Sequence, residues 1–580
     1  MSIDQSVDPR VALPGGAPEP ASPAPAALTR RRFLGRLGGG AALTLAAAGP
    51  RPSRGRLAPG LAEGAVVGPE SPEQRRQHAY EIRHQAALFH KDGPLPEHPT
   101  NGDEERYATR LGNYSKALPH DDLGQVDPRA YAALLHALAT GEAAAFDKIP
   151  LGGAVPLVNP QAALAFVLEG VDSHQLATPP PPAFASTEAA GELVELYWLA
   201  LTRDVPFAHY GAEPRTRAAL QDLARFSAFA DVEPDTLFRG LTAGDATGPY
   251  ISQFLWQDIP FASQILTQTY RTAQAGDDHV TTYKTWLALQ NGAHAAAPNA
   301  YDPVPRYVRT GRDLSEYVHG CQSGCPDTRD GALTESAFDA AFFAGLNAGL
   351  ILLGFGPEAL DAGNPYLGNP TQTGFATFGA PHLMDLVIRV VQPALLATWY
   401  QKWAVHRHLR PEEYAGRVHL HRRGAATYPI PAALLESQAL AAIEEAYGSA
   451  LLPQAYPEGC PTHPAYPSGH ATFAGAMVTA LKAFFNGAFP IPRPQEATDD
   501  GLALVAYPGT LTVEGELDKL ASNIAAGRLC AGVHWRADAW AGLRVGEAVA
   551  LSILRDLRGT FPEKFGGFTL TTFDGKPIHV

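Results

Sequence analysis

The sequence is short of several things at once. Four cysteines among 580 residues, Cys321, Cys325, Cys460 and Cys530, are too few for a disulfide-built scaffold. Cys321 and Cys325 bracket Gln-Ser-Gly, a spacing that an oxidising compartment permits to be bridged. A lone C-x3-C without a second His/Cys pair is a poor zinc site. Basic residues are outnumbered, 45 Lys and Arg against 59 Asp and Glu, for a formal net charge of −14. That balance argues against a nucleic-acid partner, which selects basic patches. Any anion chemistry must therefore come from a local cluster of cations opposing the global sign. No stretch reads as a membrane-spanning helix. The best candidate, 338–355, is interrupted by Asp339, Asn347 and several glycines and reads as a core helix. Strand signals are scarce, the clearest lying at 567–572. No linker divides the chain after about residue 70, and no short-period repeat is visible.

What is present is a helical pattern. With 45% hydrophobic and 18% charged residues, the composition is that of an ordinary globular protein. Segments 130–139, 189–201, 335–353, 381–405, 432–447, 471–485, 514–526 and 537–557 are predicted helices. In 381–405, Leu383, Leu386, Val387, Val390, Ala394 and Ala397 fall at three- and four-residue steps and form one apolar stripe. The expected class is mainly α: helical bundles with long ordered loops, fed by 56 Gly and 51 Pro. The loops 354–374 and 456–469 exceed ordinary connections, and such loops are disproportionately functional.

The N-terminus carries an address. Thr29-Arg30-Arg31-Arg32-Phe33-Leu34 resembles a twin-arginine signal, followed by a small-residue apolar run at 37–48 and a cleavage-like Ala46-Ala47-Ala48-Gly49-Pro50. This predicts export to the periplasm or beyond, with 1–48 a signal peptide and 49–74 a disordered linker.

Three C-terminal segments concentrate anion-binding groups. Lys402 and Arg410 lie eight residues apart, a little over two helical turns, with Pro411 expected to end their helix. His463-Pro-Ala-Tyr-Pro-Ser468-Gly469-His470 runs straight into an apolar helix, whose N-terminus offers free N–H groups and a positive dipole end. Arg528 precedes His534 by six residues. Singly, these read as surface charges, a helix cap and a structural histidine. Together, two Arg, one Lys, a Ser hydroxyl and a Gly amide make a cage for a tetrahedral oxyanion, and two histidines add a ligand or nucleophile and a proton donor.

The pattern K-x7-R-P, P-S-G-H, R-x5-H resembles the superfamily shared by vanadium haloperoxidases and type-2 phosphatidic acid phosphatases. WYQKWAVHRHLRPEEYAG, HPAYPSGHATFAGA and GRLCAGVHWRADAWAG resemble its algal-type bromoperoxidase branch. Upstream, ELYWLALTRDVPFAHY, GPYISQFLWQDIPF and NPTQTGFATFGAPH extend the resemblance to roughly 75–575. It implies one haloperoxidase domain over 75–580, with a vanadate site at about 380–560. His534 would bond the vanadium, while Lys402, Arg410, Arg528, Ser468 and the Gly469 amide would hold the oxyanion. His470 would be the general acid/base, a task suited to an imidazole. His463 would be the second active-site histidine of the bromoperoxidase branch, where the fungal chloroperoxidases carry an aromatic residue. The implied reaction takes hydrogen peroxide and a halide, bromide favoured, to an oxidised halogen that attacks an organic acceptor. The resemblance further implies a homodimer or larger assembly and suggests calcium near Gln372.

Gln401 departs from some algal relatives, which carry Arg there, and pulls the halide reading away from bromide. His463, beside the implied vanadate, weighs more. The rival reading is a phosphatase using the same cage, with His534 as phospho-acceptor and His470 as leaving-group acid. His463, the chain length and the upstream segments oppose it. A non-enzymatic helical protein with a degenerate site is opposed by the completeness of the cage.

Overall fold

The computed structural model describes residues 70–319 and 341–580. The twin-arginine segment, most of the predicted linker, Cys321, Cys325 and the first turns of the predicted 335–353 helix lie outside the described residues. A helix, Pro72–Lys91, starts inside the segment expected to be linker. Ser71 and Gln74 cap it reciprocally, and it buries none of its own residues. His90 ties its far end to Asp556 at 2.9 Å.

The protein is mainly α, as expected. Strands among the described residues are confined to three antiparallel hairpins of three-residue strands, Ile259–Phe261 with Gln264–Leu266, Gln495–Ala497 with Leu504–Ala506, and Thr569–Thr571 with Pro577–His579. The last contains the predicted strand. The other two are too short to show a two-residue period.

At the centre lies Gly469–Lys482, all of whose residues are buried. Apart from His470 and the terminal Lys482, its residues are apolar or small on every face, the pattern of a helix with no solvent side. Its most extensive packing is against Arg536–Arg558, with Val513–Cys530, Val391–Trp399, Ala341–Gly354 and Ala380–Arg389 also packed against it. The main crossing is made possible by missing side chains. A Cβ on Gly542 would lie 2.6 Å from the Ser468 carbonyl oxygen, and one on Gly546 would overlap that of Thr472. Backbone therefore rests on backbone where the Ser468 turn begins.

Two predicted helices are broken. The 381–405 segment is Ala380–Arg389, Val391–Trp399 and a π-helical turn, Tyr400–His406, closed by Arg407 at φ 42°. Pro393 lacks the N–H that would bond back to Arg389, which accounts for the first break. The run Ala380–His406 is long and apolar enough to cross a membrane by length and composition, a signal the sequence reading missed; half of its most apolar stretch is buried within the protein. The 432–447 segment is split into Ala432–Leu435 and Gln438–Tyr447, because the Ser437 hydroxyl accepts from Leu440 N and starts a new helix.

Candidate active site

Lys402 and Arg410 do not share a helix. Lys402 sits in the π-helical turn, and Arg410 is the N-cap of a new helix, Pro411–Arg422, so Pro411 opens a helix instead of ending one. Arg410 N donates to Glu413 Oε2 at 2.8 Å, which holds the residue at that junction. π-Helical turns widen the backbone spiral and recur at functional sites. Here the turn directs the Lys402 ammonium onto the Pro464 and Ala465 carbonyls, both at 2.7 Å, in the loop leading to Ser468.

Five of the other predicted groups converge on one small cavity of about 50 Å³, lined by His463, Gly469, His470, Arg528 and His534 on its polar side, while Lys402, Arg410 and Ser468 stand behind that lining. Phe342, Leu395, Trp399 and Phe473 form its apolar side. Arg410 bridges two of the histidines, its Nη1 donating to His534 Nε2 and its Nη2 to His463 Nδ1, both at 3.0 Å. Ser468 is the N-cap of the central helix, its hydroxyl accepting from Ala471 N at 3.4 Å. A Cβ on Gly469 would meet the Trp399 ring at 3.3 Å, so glycine lets the helix start lie against that wall. His470 is buried in the first turn, 5.2 Å from the Phe473 ring.

The electrostatics are one-sided. Lys402, Arg410 and Arg528 are buried, and among the described residues no carboxylate comes within 4.0 Å of their charged groups. Arg528 Nη1 donates to Val318 O at 3.0 Å, but its buried Nε has no hydrogen-bond partner. Burial, followed by the Arg410 charge, pushes the Lys402 ammonium well below its ordinary value. Burial also lowers Arg410. His534 and His463 are both driven well below the usual imidazole range, by burial first and then by Arg410. Both rings are thus neutral, the form a metal ligand requires.

His534 owes its orientation to a residue the sequence reading missed. Asp538 Oδ2 accepts from His534 Nδ1 at 2.7 Å and from Trp535 N at 2.9 Å. Nδ1 therefore carries the hydrogen, and Nε2 presents its lone pair toward Arg410. The signal was the four-residue step from His534 to an acid in the first turn of a helix. Trp399, 5.0 Å from the His463 ring, and Tyr456, whose ring stacks under the Arg528 guanidinium at 5.2 Å, were also missed. Gln401 is buried with its amide donating to Leu176 O at 2.5 Å, so it is committed to the 176–178 segment and not to the cavity.

Known proteins share this chain over nearly its full length. A vanadium-dependent bromoperoxidase of Ascophyllum nodosum is 36% identical over 540 residues, covering 88% of this chain and 93% of its own. The chain belongs to the vanadium-dependent bromoperoxidases. The enzyme of Corallina officinalis, with the same description, is 32% identical over 83% of this chain and 92% of its own. A family model for the VCPO second helical-bundle domain matches residues 383–561, the part that holds every site side chain described above except Phe342 of the apolar wall. The solved structure of a second, homohexameric vanadate-dependent bromoperoxidase from Ascophyllum nodosum superposes with a TM-score of 0.80 at 29% identity, covering 91% of this chain and 94% of that one. The upstream bromoperoxidase-like segments also gain a place in the fold. Glu195, from the first of them, accepts both Nε bonds of Arg536 at 3.0 Å, and Arg203 donates to Cys530 O at 2.8 Å. They grip the two ends of the loop that carries His534.

Proposed function

We propose that this protein is a vanadate-dependent bromoperoxidase that couples reduction of hydrogen peroxide to oxidation of bromide. The observation that carries the reading is the set of three buried cations, with no carboxylate within 4.0 Å among the described residues, around a neutral histidine whose Nε2 is held ready by Asp538. A cationic cage with an unbonded Arg528 Nε fits an oxyanion, and a fixed neutral imidazole fits the metal at its centre. His534 would ligate vanadium, and Lys402, Arg410, Arg528, Ser468 Oγ and Gly469 N would hold its oxygens. When bound, vanadate supplies Lewis acidity that makes peroxide electrophilic without a change in its own oxidation state.

The protein's part is positioning and proton handling. Lys402, Arg410 and Arg528 draw electron density from the oxyanion. His470 delivers and removes protons at the peroxide oxygens. Bromide gives two electrons to the O–O bond. One oxygen then leaves as water and the other as hypobromous acid, with one proton consumed, and the acid brominates an organic acceptor. The apolar wall of Phe342, Leu395, Trp399 and Phe473 keeps that corner poor in water. The reading also includes export through the twin-arginine segment and a homo-oligomer, in keeping with the homohexameric relative. It takes residues 75–580 as one functional domain. Calcium near Gln372 would rest on backbone and amide oxygens, since no group of three His, Cys, Asp or Glu gathers among the described residues.

The test is peroxide-dependent bromination of a dye by the vanadate-free protein, with and without added vanadate. Bromination only after vanadate addition is expected. Hydrolysis of a phosphate monoester with no bromination under any condition would move the protein to the phosphatase side of the superfamily. Phosphate should also compete for the cage, which recognises a tetrahedral oxyanion as such. Vanadate reconstitution is expected to slow as phosphate rises into the millimolar range, and indifference to phosphate would remove the cage assignment.

Halide choice is expected to lie with His463, which touches Arg410 and lines the cavity, and not with Gln401, which does neither. Bromide and iodide should turn over well and chloride poorly, with His463→Phe shifting the chloride-to-bromide ratio upward at slightly acidic pH. Equal chloride and bromide rates in the wild type would end the bromide preference and leave the peroxidase standing.

A further inference from the structure

Lys116 and Glu412 form an ion pair in the interior at 3.0 Å, their side chains only 3% and 1% exposed, and neither lines the cavity. The ammonium directs its other protons at the Glu458 and Cys460 carbonyls, at 2.8 and 2.7 Å. The carboxylate is equally committed, accepting from Gln290 Nε2 and from Cys460 N. Glu412 stands two residues beyond Arg410, in the first turn of the helix that Arg410 caps. The adjacent acid is occupied as well. Glu413 Oε1 accepts from Ser115 N and its Oε2 from Arg410 N, both at 2.8 Å. The Cys460 thiol feels the charges of Glu412, Arg410 and Lys116 alike, so acid, cage arginine and lysine share one buried neighbourhood.

A buried ion pair adds little stability over apolar side chains of the same size, so one kept beside an anion site calls for another reason. The fold has a use for the acid. Glu412 suits the first turn of a helix, and it grips Cys460 N at the entry of the loop that leads to His463. The cage has the opposite need, because at low dielectric the field of a carboxylate reaches Arg410 and any oxyanion that Arg410 holds. We propose that Lys116 sets the anion affinity of the cage by neutralising Glu412. The inference rests on the function proposed above. With Lys116 in place, an approaching anion meets a neutral pair behind Arg410, and the positive field of the cage stands. Without Lys116, an unpaired carboxylate repels the oxyanion and draws the Arg410 guanidinium toward itself. Lys116 touches no reacting atom, so it is a positioning residue that acts through Glu412 and Arg410.

The experiment measures the dissociation constant of orthovanadate for the vanadate-free protein by equilibrium dialysis. Lys116→Met and Lys116→Gln should bind it roughly tenfold more weakly than wild type, the scale on which one uncompensated buried charge acts on a charged ligand. Adding Glu412→Gln to Lys116→Met removes the stray charge and should restore affinity to within about threefold of wild type. A lysine that merely pinned the loop would behave otherwise, because the bonds to the Glu458 and Cys460 carbonyls are missing from the double variant too. Wild-type affinity in a folded Lys116→Met or Lys116→Gln protein overturns the proposal. So does a folded double variant that binds as weakly as the single one. Where the single variants do not fold, the double variant, with no buried charge left unpaired, decides by the same limit. No uptake by the wild type would strike the proposed function, whereas normal wild-type uptake with an unmoved Lys116→Met constant strikes this inference alone.

Discussion

Replacing His534 by alanine should abolish vanadate binding, while replacing His470 by alanine should leave it nearly intact and cost turnover roughly 10²–10⁴-fold. The two rings border one cavity, but their settings differ. His534 is fixed by Asp538 at 2.7 Å and by Arg410 at 3.0 Å, and in the proposed site it is the single protein atom bonded to the metal. Its loss leaves three cations that attract any oxyanion but cannot hold vanadium against dissociation. His470 belongs to the first turn of the central helix and contributes no group to the cage, so removing it takes away a proton carrier and leaves the cage standing. Vanadate titration of each apoprotein, followed by bromination at saturating vanadate, separates the two effects. Equal loss of binding in both variants would refute this division of labour.

The second large effect is expected far from any reacting atom. Gly546→Ala should lower the thermal midpoint by about 3 °C, following a loss on the order of 3 kcal/mol from overpacking a buried crossing in a chain of this size. The new methyl would overlap the Thr472 carbonyl oxygen, which is backbone and cannot rotate away. Relief requires the central helix to move off Arg536–Arg558, which carries Ser468 to His470 away from His534. Bromination should therefore fall in the same variant at temperatures where it is still folded. Gly211→Ala, where a Cβ meets nothing within 4 Å, is the control and should change neither quantity. A Gly546→Ala protein with unaltered midpoint and activity would show that the crossing tolerates separation.

Much of this was legible in the sequence because the informative features are local. The central helix announces itself by an apolar composition on all faces. The Ser-Gly-His turn announces an anion site because it feeds a helix N-terminus. The grouping of Lys402, Arg410, Arg528 and the histidines was legible only jointly, through spacing that matches a family. What escaped was whatever depends on the backbone departing from a regular helix. Lys402 and Arg410 look like neighbours on one helix by period, but the chain passes through a π-helical turn and an N-cap between them. Helical periodicity also cannot tell Pro393 as a break from Pro393 as a bend. Asp538 was missed because the four-residue step to it starts from His534 in the preceding loop, where such a step is not read as a helical pair.

The three cations, which no carboxylate among the described residues approaches within 4.0 Å, have a consequence for how this fold can change. Ordinary pressure toward stability would place an acid beside a buried Lys or Arg, and positions such as Leu395 already line the cavity. An aspartate there would relieve the repulsion and make the empty protein sturdier, while taking the place of the oxyanion. The chain is therefore barred from its own simplest repair, and the empty form must carry the strain. Any anion that enters the cage supplies the missing counter-charge, so the ligand completes the folded core as much as it occupies a site. Stability of the finished protein is then a property of the anions in its medium as well as of its sequence.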